Sequence, residues 1–160
     1  MLLNRLTKLL LAGAASCIGM AASAQRDVVL SSNITSLQVT AGNNWLSMPI
    51  INMNDGNPIN ICFDDLTHDY HRYAYKLQHC EADWSPSEGI IDTDYCDGFV
   101  DGDVIDSYAK SVNTNTIYTH YELSIPNERC RLKMSGNYRL AIYDDNDKDT
   151  ILYAHFMVVD

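Results

Sequence analysis

Apolar and polar residues alternate in run after run of this sequence from residue 36 onwards. The segment "INICF" places Ile59 and Phe63 on one side and Cys62 on the other. The segment "GNYRLAIY" places Tyr138 and Ile142 on one side in the same way. Because successive side chains of a β-strand point to opposite faces, a period of two predicts strands that are each buried on one face. We therefore expect packed sheets and not helices.

The alternating runs predict six strands separated by turn-forming clusters. The strands are predicted over residues 36–40, 59–63, 73–79, 118–125, 136–143 and 151–159. Asp55-Gly56 is a strong turn pair. Several short strands at this spacing predict an all-β fold, a β-sandwich of the immunoglobulin or fibronectin type. The turn "SGN" before Tyr138 is typical of a tyrosine corner, in which a buried tyrosine hydroxyl bonds to nearby backbone.

The stretch from Glu81 to Asn115 shows no such alternation, and it is the most acidic part of the chain. We predict a long irregular loop here. Loops of this length in compact domains are usually functional or lie extended over the surface.

The N-terminus has the pattern of a secretory signal. Two basic residues flank the start of an apolar run over residues 9–22, and "AASAQ" supplies small residues for cleavage after Ala24. We predict a signal peptide at residues 1–24 and one β-sandwich domain at 25–160. A lipoprotein signal that uses Cys17 is the alternative, although the residue three positions earlier is not a bulky aliphatic.

The acidic charge narrows the class of partner. The chain has 11 basic and 21 acidic residues, a formal net charge of −10, and loss of Arg5 and Lys8 with the signal would change it to −12. Nucleic acid and anionic membrane surfaces are poor partners for such a chain. No later stretch approaches the roughly twenty apolar residues of a transmembrane helix. We expect an exported, soluble protein that does not span the membrane.

Four cysteines follow the predicted signal: Cys62, Cys80, Cys96 and Cys130. An even number permits disulfides in an oxidising compartment, with three possible connectivities, and the spacing leaves the pairing open. If residues 64–73 were a hairpin connection, Cys62 would lie opposite Leu77, about three residues from Cys80. That separation argues against a bond between Cys62 and Cys80.

No motif in the chain indicates catalysis or metal binding. The histidines at 68, 71 and 79 and the neighbouring Cys80 lack the spacing of a structural zinc site, and His79 is in phase with a strand. The acidic clusters at 97–106 and 145–149 do not match a calcium loop. There is no G-x-S-x-G elbow, while paired carboxylates cannot be recognised before the fold is known. We predict no catalytic residue, no cofactor and no metal.

Aromatic and acidic residues of the long stretch are the candidates for binding a partner or for organising the loop. They are Trp84, Tyr95, Phe99, Asp97, Asp101 and Asp103. An exposed tryptophan would suit a protein interface or the face of a sugar. The structural alternative, given equal weight, is that Trp84 packs over the open end of the sandwich.

Five segments carry a family resemblance, and they follow one another in the family's order. They are "FDDLTHDYHRYAYKLQHCEADWSPS" at 63–87, "YCDGF" at 95–99, "NTNTIYTHYELSIPNE" at 113–128, "SGNYRLAIYDDND" at 135–147 and "FMVVD" at 156–160. Together they resemble the first domain of the plug protein of the Bacteroidota type IX secretion system. The family more often has leucine where Cys96 stands.

The resemblance implies a periplasmic protein without catalytic activity. Members of the family associate with the outer-membrane translocon barrel of this system and occlude its periplasmic opening, and further β-rich domains follow the first. The resemblance assigns no contact residue. It also leads us to expect that the chain is one part of a longer architecture. The alternative hypothesis is a sandwich-type carbohydrate-binding module of an exported protein, and an enzyme is the third.

Overall fold

The computed structural model describes residues 27–160, so the predicted signal peptide at 1–24 lies outside the described residues. Within that range the chain forms twelve strands and one helical turn. They are β1 (Val28–Val29), β2 (Ile34–Ala41), β3 (Ile50–Asn52), β4 (Ile59–Asp65), β5 (Tyr73–Cys80), α1 (Asp92–Tyr95), β6 (Cys96–Gly98), β7 (Asp101–Val104), β8 (Ser107–Lys110), β9 (Thr119–Ile125), β10 (Cys130–Leu132), β11 (Gly136–Asp144) and β12 (Thr150–Val159).

The strands form two main sheets that pack as a sandwich. The first sheet has the order β1-β12-β11-β5-β7, with β3 also paired to β12. The second has the order β2-β4-β9-β8, and β6 and β10 form a separate two-stranded sheet. All six strands predicted from the alternation are present, as β2, β4, β5, β9, β11 and β12. The predicted all-β sandwich is confirmed.

The core lies between the alternating faces of the two sheets. On β4 the side chains of Ile59, Ile61 and Phe63 are fully buried, while the residues between them are partly exposed. On β11 the same alternation buries Tyr138 and Ile142. Each fully buried aliphatic or aromatic side chain contributes about 1.5–3 kcal/mol relative to an exposed one. The period-two pattern therefore supplies the free energy that holds the two layers together.

More than half of the residues in the stretch 81–115 lie outside strands and helices, but the stretch is not one continuous irregular loop as predicted. It contains α1, β6, β7 and β8. These strands have only three or four residues, and every residue of β8 is exposed. Because β7 and β8 are edge strands, they have no buried face that would impose an apolar alternation on the sequence.

The connection at 65–73 crosses from one sheet to the other and does not form a hairpin, because β4 pairs with β2 and β9 while β5 pairs with β11 and β7. The hairpin argument about Cys62 and Cys80 therefore does not apply. The crossing is held by Asp65, whose carboxyl group is fully buried and accepts hydrogen bonds from the Tyr73 hydroxyl at 3.0 Å and the Thr67 amide at 2.9 Å.

The predicted tyrosine corner is present. Tyr138 is fully buried, and its hydroxyl donates to the carbonyl of Met134, four residues upstream, at 2.6 Å. Its ring stacks on Phe156 with centroids 5.4 Å apart. The corner therefore attaches the turn that precedes β11 to the neighbouring strand β12.

The buried tyrosines predict that the fold is lost at high pH. Burial raises the pKa of Tyr73, Tyr75, Tyr95 and Tyr138, and it raises the pKa of Tyr121 to about 12. These groups ionise near pH 10 in the unfolded chain, so their contribution to stability is complete below that pH and is lost as pH rises through the folded pKa. We expect unfolding by alkali between about pH 10 and pH 12.

The measurement is an alkaline titration followed by tyrosinate absorbance and far-ultraviolet circular dichroism. The buried tyrosines are expected to ionise in one late step, well above pH 10, that coincides with loss of the β signal. Smooth ionisation of all ten tyrosines near pH 10 with the β signal retained would contradict this expectation.

Candidate functional site

Trp84 lies in a tight turn that follows β5. The turn is closed by hydrogen bonds from the Trp84 amide to the Glu81 carbonyl and from the Glu81 amide to the Ser85 carbonyl, both 2.9 Å. The Asp83 carboxylate accepts from the Ser85 amide and hydroxyl, which lowers the pKa of Asp83. The Trp84 backbone has a φ of 67°, which few non-glycine residues adopt. The turn thereby directs the indole onto His155 of β12, edge to face at 5.1 Å.

The indole forms one wall of a mostly apolar groove of about 390 Å³, which we call the Trp84 groove. It is lined by Asp27, Met48, Pro49, Ile50, Trp84, His155, Phe156 and Met157. Trp84 is partly exposed, so it packs against the sandwich and contributes to the surface at the same time. Trp84 thus combines partial exposure with packing on β12, and a role in binding a partner stays a prediction.

The connection between β2 and β3, residues 42–49, adjoins this groove and exposes large apolar side chains. Trp45 is 73% exposed, and Leu46 and Met48 are exposed to a similar degree. Ser47 holds the loop in shape, because its hydroxyl lies within 2.8 Å of the backbone of Ala41 and of Asn44. We call residues 42–49 the Trp45 loop.

Sequence reasoning overlooked the Trp45 loop. The available signal was three large apolar residues within four positions of a turn that begins with glycine and asparagine. An apolar cluster in a turn cannot be explained by strand alternation, and exposed apolar patches commonly mark interaction surfaces.

Tyr95 lies in the core and does not reach the surface. Its hydroxyl is 2.7 Å from the Asp92 carboxylate and 3.1 Å from the Leu77 carbonyl of β5. Its ring lies beside those of His79 and Tyr138. Burial, together with the hydrogen bond to Asp92, raises the pKa of Tyr95. This residue therefore attaches the long connection to the sandwich and offers no surface to a partner.

Phe99 and Asp97 are both exposed, near the middle of the long connection. Phe99 is 61% exposed and lines a depression of about 500 Å³ together with Tyr70, Arg72 and Arg129. Trp84 packs on β12, whereas the depression at Phe99 borders β7, the opposite edge strand of the first sheet. The structure therefore does not combine the two aromatic candidates in one site.

Asp101 and Asp103 of β7 are engaged within the chain. Asp101 accepts from the Lys76 ammonium at 3.1 Å and the Tyr143 hydroxyl at 2.9 Å. Asp103 accepts from the Arg129 guanidinium at 2.8 Å and the Tyr75 hydroxyl at 3.1 Å, with its side chain only 11% exposed. These carboxylates anchor the edge strand, as expected of groups that satisfy buried or charged donors.

One cluster of metal-ligating groups was not anticipated. Cross-strand pairing of β4 and β9 brings Cys62, His120 and Glu122 together, with donor atoms within 4.8 Å of one another. His120 Nδ1 is 2.6 Å from the Asp64 carboxylate. The cluster supplies three donors where a closed structural zinc site has four. Only the strand register reveals it, since the residues are far apart in sequence.

Cys62 is not activated as a nucleophile. Burial, and then the nearby Glu122 and Asp64 carboxylates, raise the pKa of the Cys62 thiol. A catalytic cysteine requires the opposite shift, because the thiolate is the reactive form.

His79, which the sequence analysis weighed as a zinc ligand, is hydrogen-bonded at both ring nitrogens. Its partners are the Ser87 hydroxyl at 2.8 Å and the Ser135 carbonyl at 3.3 Å.

These features define a class of protein: a two-sheet β-sandwich with a tyrosine corner and a long acidic connection fastened across one sheet edge. The family model described as the type 9 secretion system plug protein first domain matches residues 34–160. The chain belongs to this family. No helix among residues 27–160 has the length and apolarity needed to cross a membrane.

A solved structure supports the fold independently. The crystal structure of a hypothetical protein from Parabacteroides merdae ATCC 43184 is 39% identical in sequence, with a TM-score of 0.79. The match covers 83% of this chain and 33% of the solved chain. This chain therefore spans about a third of the length of that relative. No protein of curated function matches the chain.

The role of Tyr95 in fastening the connection can be tested by Tyr95→Phe. We expect a loss of about 1–2 kcal/mol in the free energy of unfolding, because the buried Leu77 carbonyl loses a donor while the ring stays in place. Urea unfolding provides the measurement. Tyr108→Phe is the matched control, since Tyr108 is 47% exposed, and it should leave the midpoint unchanged. Equal losses in the two variants would refute the role.

Proposed function

We propose that this chain is a non-catalytic, periplasmic component of the type IX secretion system that docks on the outer-membrane translocon barrel and helps to occlude its periplasmic opening. The observation that carries the proposal is the family match, which extends over residues 34–160. The solved relative is about three times longer, so occlusion as a whole-protein activity is part of the proposal.

The Trp45 loop and the Trp84 groove together form the surface best suited to docking. Met48 belongs to both: it lines the groove beside Ile50 and Met157, and in the loop it follows the exposed Leu46 by two residues. Trp45 of the same loop lines a separate depression over the second sheet, together with Asn60 and Cys62 of β4. Large exposed aromatic and thioether side chains are enriched in protein interfaces, where tryptophan is a frequent hot spot. With a chain charge of −10, a partner surface of apolar character with basic groups at its rim would be complementary.

The absence of catalysis is part of the same proposal. Cys62, His120 and Asp64 have the residue types of a thiol–imidazole–carboxylate triad, but the raised pKa of the Cys62 thiol works against a thiolate nucleophile. The carboxylates Asp101 and Asp103 are paired with cations and phenols of the chain. These contacts support a binding role over an enzymatic one.

The carbohydrate-binding alternative receives less support from the geometry. A sugar site combines an aromatic face with several convergent polar groups. The Trp84 groove is lined mainly by methionine, proline and isoleucine side chains, and its Asp27 carboxylate accepts from the His155 backbone amide at 2.7 Å. The groove is better suited to apolar side chains of a protein.

The proposal can be tested by affinity capture. The tagged full chain is expressed in a type IX-secreting bacterium, and its partners are recovered from detergent-solubilised envelopes and identified by mass spectrometry. We expect recovery of the outer-membrane translocon barrel. Trp45→Ser should reduce that recovery about tenfold or more, as expected for an interface tryptophan.

Val112→Ser is the matched control, because Val112 is 77% exposed and outside both named surfaces. It should leave recovery unchanged. Failure to recover the barrel with the folded chain, under conditions in which a full-length relative recovers it, would overturn the docking proposal. Equal recovery with Trp45→Ser and Val112→Ser would show instead that docking uses another surface.

A further inference from the structure

Two of the four cysteines among residues 27–160 lie side by side in the core. Cys96 begins β6 and Cys130 begins β10, and their sulfur atoms are 3.1 Å apart. Both residues are buried, at 2% and 0% exposure. Thirty-four positions separate them in sequence, so the pairing of the two short strands creates this contact.

The strand register explains why the thiols face each other. Cys96 pairs with Leu132 and Gly98 pairs with Cys130, which makes the cysteines diagonal neighbours across the ladder. Residues two apart on a strand share a face, so Cys130 and Leu132 both lie on the face of Cys96. Side chains in this relation are close enough to interact.

Gly98 permits the close approach of the two strands. Its φ is 118°, and a side chain there would collide with the backbone carbonyl of Arg129. The Phe99 amide donates to that same carbonyl at 2.8 Å. The glycine therefore lets β10 pack directly on β6 at the position of the cysteines.

Neither Cys62 nor Cys80 has a cysteine as its strand partner in the described part of the chain. Cys62 pairs with Gln38 on β2 and with Glu122 on β9, and Cys80 pairs with Asn137 on β11. Each of the three connectivities that the sequence leaves open would contain two disulfides. The geometry supports only one bond, between Cys96 and Cys130.

We propose that Cys96 and Cys130 form a structural disulfide when the chain folds in an oxidising compartment, with a disulfide-exchange oxidant such as a thiol–disulfide oxidoreductase as the electron acceptor. One cysteine thiolate attacks the oxidant's disulfide and releases one oxidant thiolate. The second cysteine thiolate then attacks the mixed disulfide, forms the bond between the two sulfurs and releases the second oxidant thiolate. The two protons lost by the cysteines balance the two thiols formed on the oxidant.

The bond forms during folding. Burial raises the pKa of both thiols in the folded chain, which leaves little of the reactive thiolate there. The presence of the bond in cells rests on the periplasmic location in the proposed function. Its formation in solution does not, so the two proposals can fail separately.

The disulfide would fasten the long connection to the sandwich. The sheet of β6 and β10 has only three residue pairs, and Phe99 and Asp97 lie in or next to it. A covalent bond closing a segment of this length lowers the entropy of the unfolded chain substantially. The exposed Phe99, which follows β6, would then lie next to a strand pair that is joined covalently.

The test begins with oxidative refolding of the full chain in a mixture of oxidised and reduced glutathione. Free thiols are alkylated, and the chain is digested without reduction by trypsin together with a glutamate-specific protease. Cleavage after Glu81 or Glu88 separates Cys80 from Cys96, and cleavage after Arg129 releases Cys130. We expect one linked pair of peptides that contain Cys96 and Cys130, with Cys17, Cys62 and Cys80 alkylated.

Thermal unfolding supplies the second readout. The oxidised chain should melt about 10 °C above the reduced chain. The double variant Cys96→Ala with Cys130→Ala should lose this redox dependence, and the matched double variant Cys62→Ala with Cys80→Ala should keep it. If the first double variant does not fold, the peptide map of the unaltered chain decides.

The proposal would be overturned if the chain folded under oxidising conditions and the thiols of Cys96 and Cys130 could still be alkylated after denaturation. A linked pair that contains Cys62 or Cys80 would overturn it equally. A normal disulfide in a chain that fails to recover the translocon would leave this inference standing and remove only the proposed function.

Discussion

The sandwich depends on one junction at which the chain leaves the second sheet and enters the first. Asp65 ends β4 with a fully buried carboxyl group, and Tyr73 begins β5 with a hydroxyl that donates to it. A polar group buried without partners costs several kcal/mol, so the carboxyl group is tolerated only where these donors converge. The hydrogen bond between the Asp65 carboxyl group and the Tyr73 hydroxyl therefore links the end of β4 in one layer to the start of β5 in the other.

Besides the pairing of β7 and β8 with the two sheets, side-chain contacts fasten the long connection to that frame. Tyr95 inserts into the core, Asp103 pairs with Arg129, and Cys96 meets Cys130 beneath the surface. Each contact joins residues distant in sequence. The exposed Phe99 lies between these attachments, while Trp84 lines a separate groove against β12. The domain thus offers two separate surfaces, and the family relationship does not assign a partner to either one.

The alternation of residues such as Ile59, Ile61 and Phe63 was sufficient to predict the central strands, because burial on one face imposes a period of two. It could not predict β8, whose residues are all exposed, since no burial constrains them. The order of the strands in the sheets could not be predicted from the sequence either. Nothing local in the sequence indicates that residues 65–73 cross between layers and do not form a hairpin.

The same limit applies to the candidate residues. Tyr95 and Phe99 are both aromatic and only four positions apart, yet one is buried and the other exposed. The contact of Cys96 with Cys130, and that of Cys62 with His120, depends on the register of paired strands, which a single sequence does not encode locally. Trp45 was recognisable in principle, because three large apolar residues in a turn have no structural explanation there.

The arrangement around β12 has a mechanical consequence. One side of β12 is paired with β11 along almost its entire length, and the other side is paired first with β1 and then, in parallel, with β3. A tension applied along this strand would load many backbone hydrogen bonds in shear at the same time, whereas a strand peeled from an edge breaks its bonds one after another. The domain is therefore built to resist pulling along its last strand far better than pulling across its edge strands.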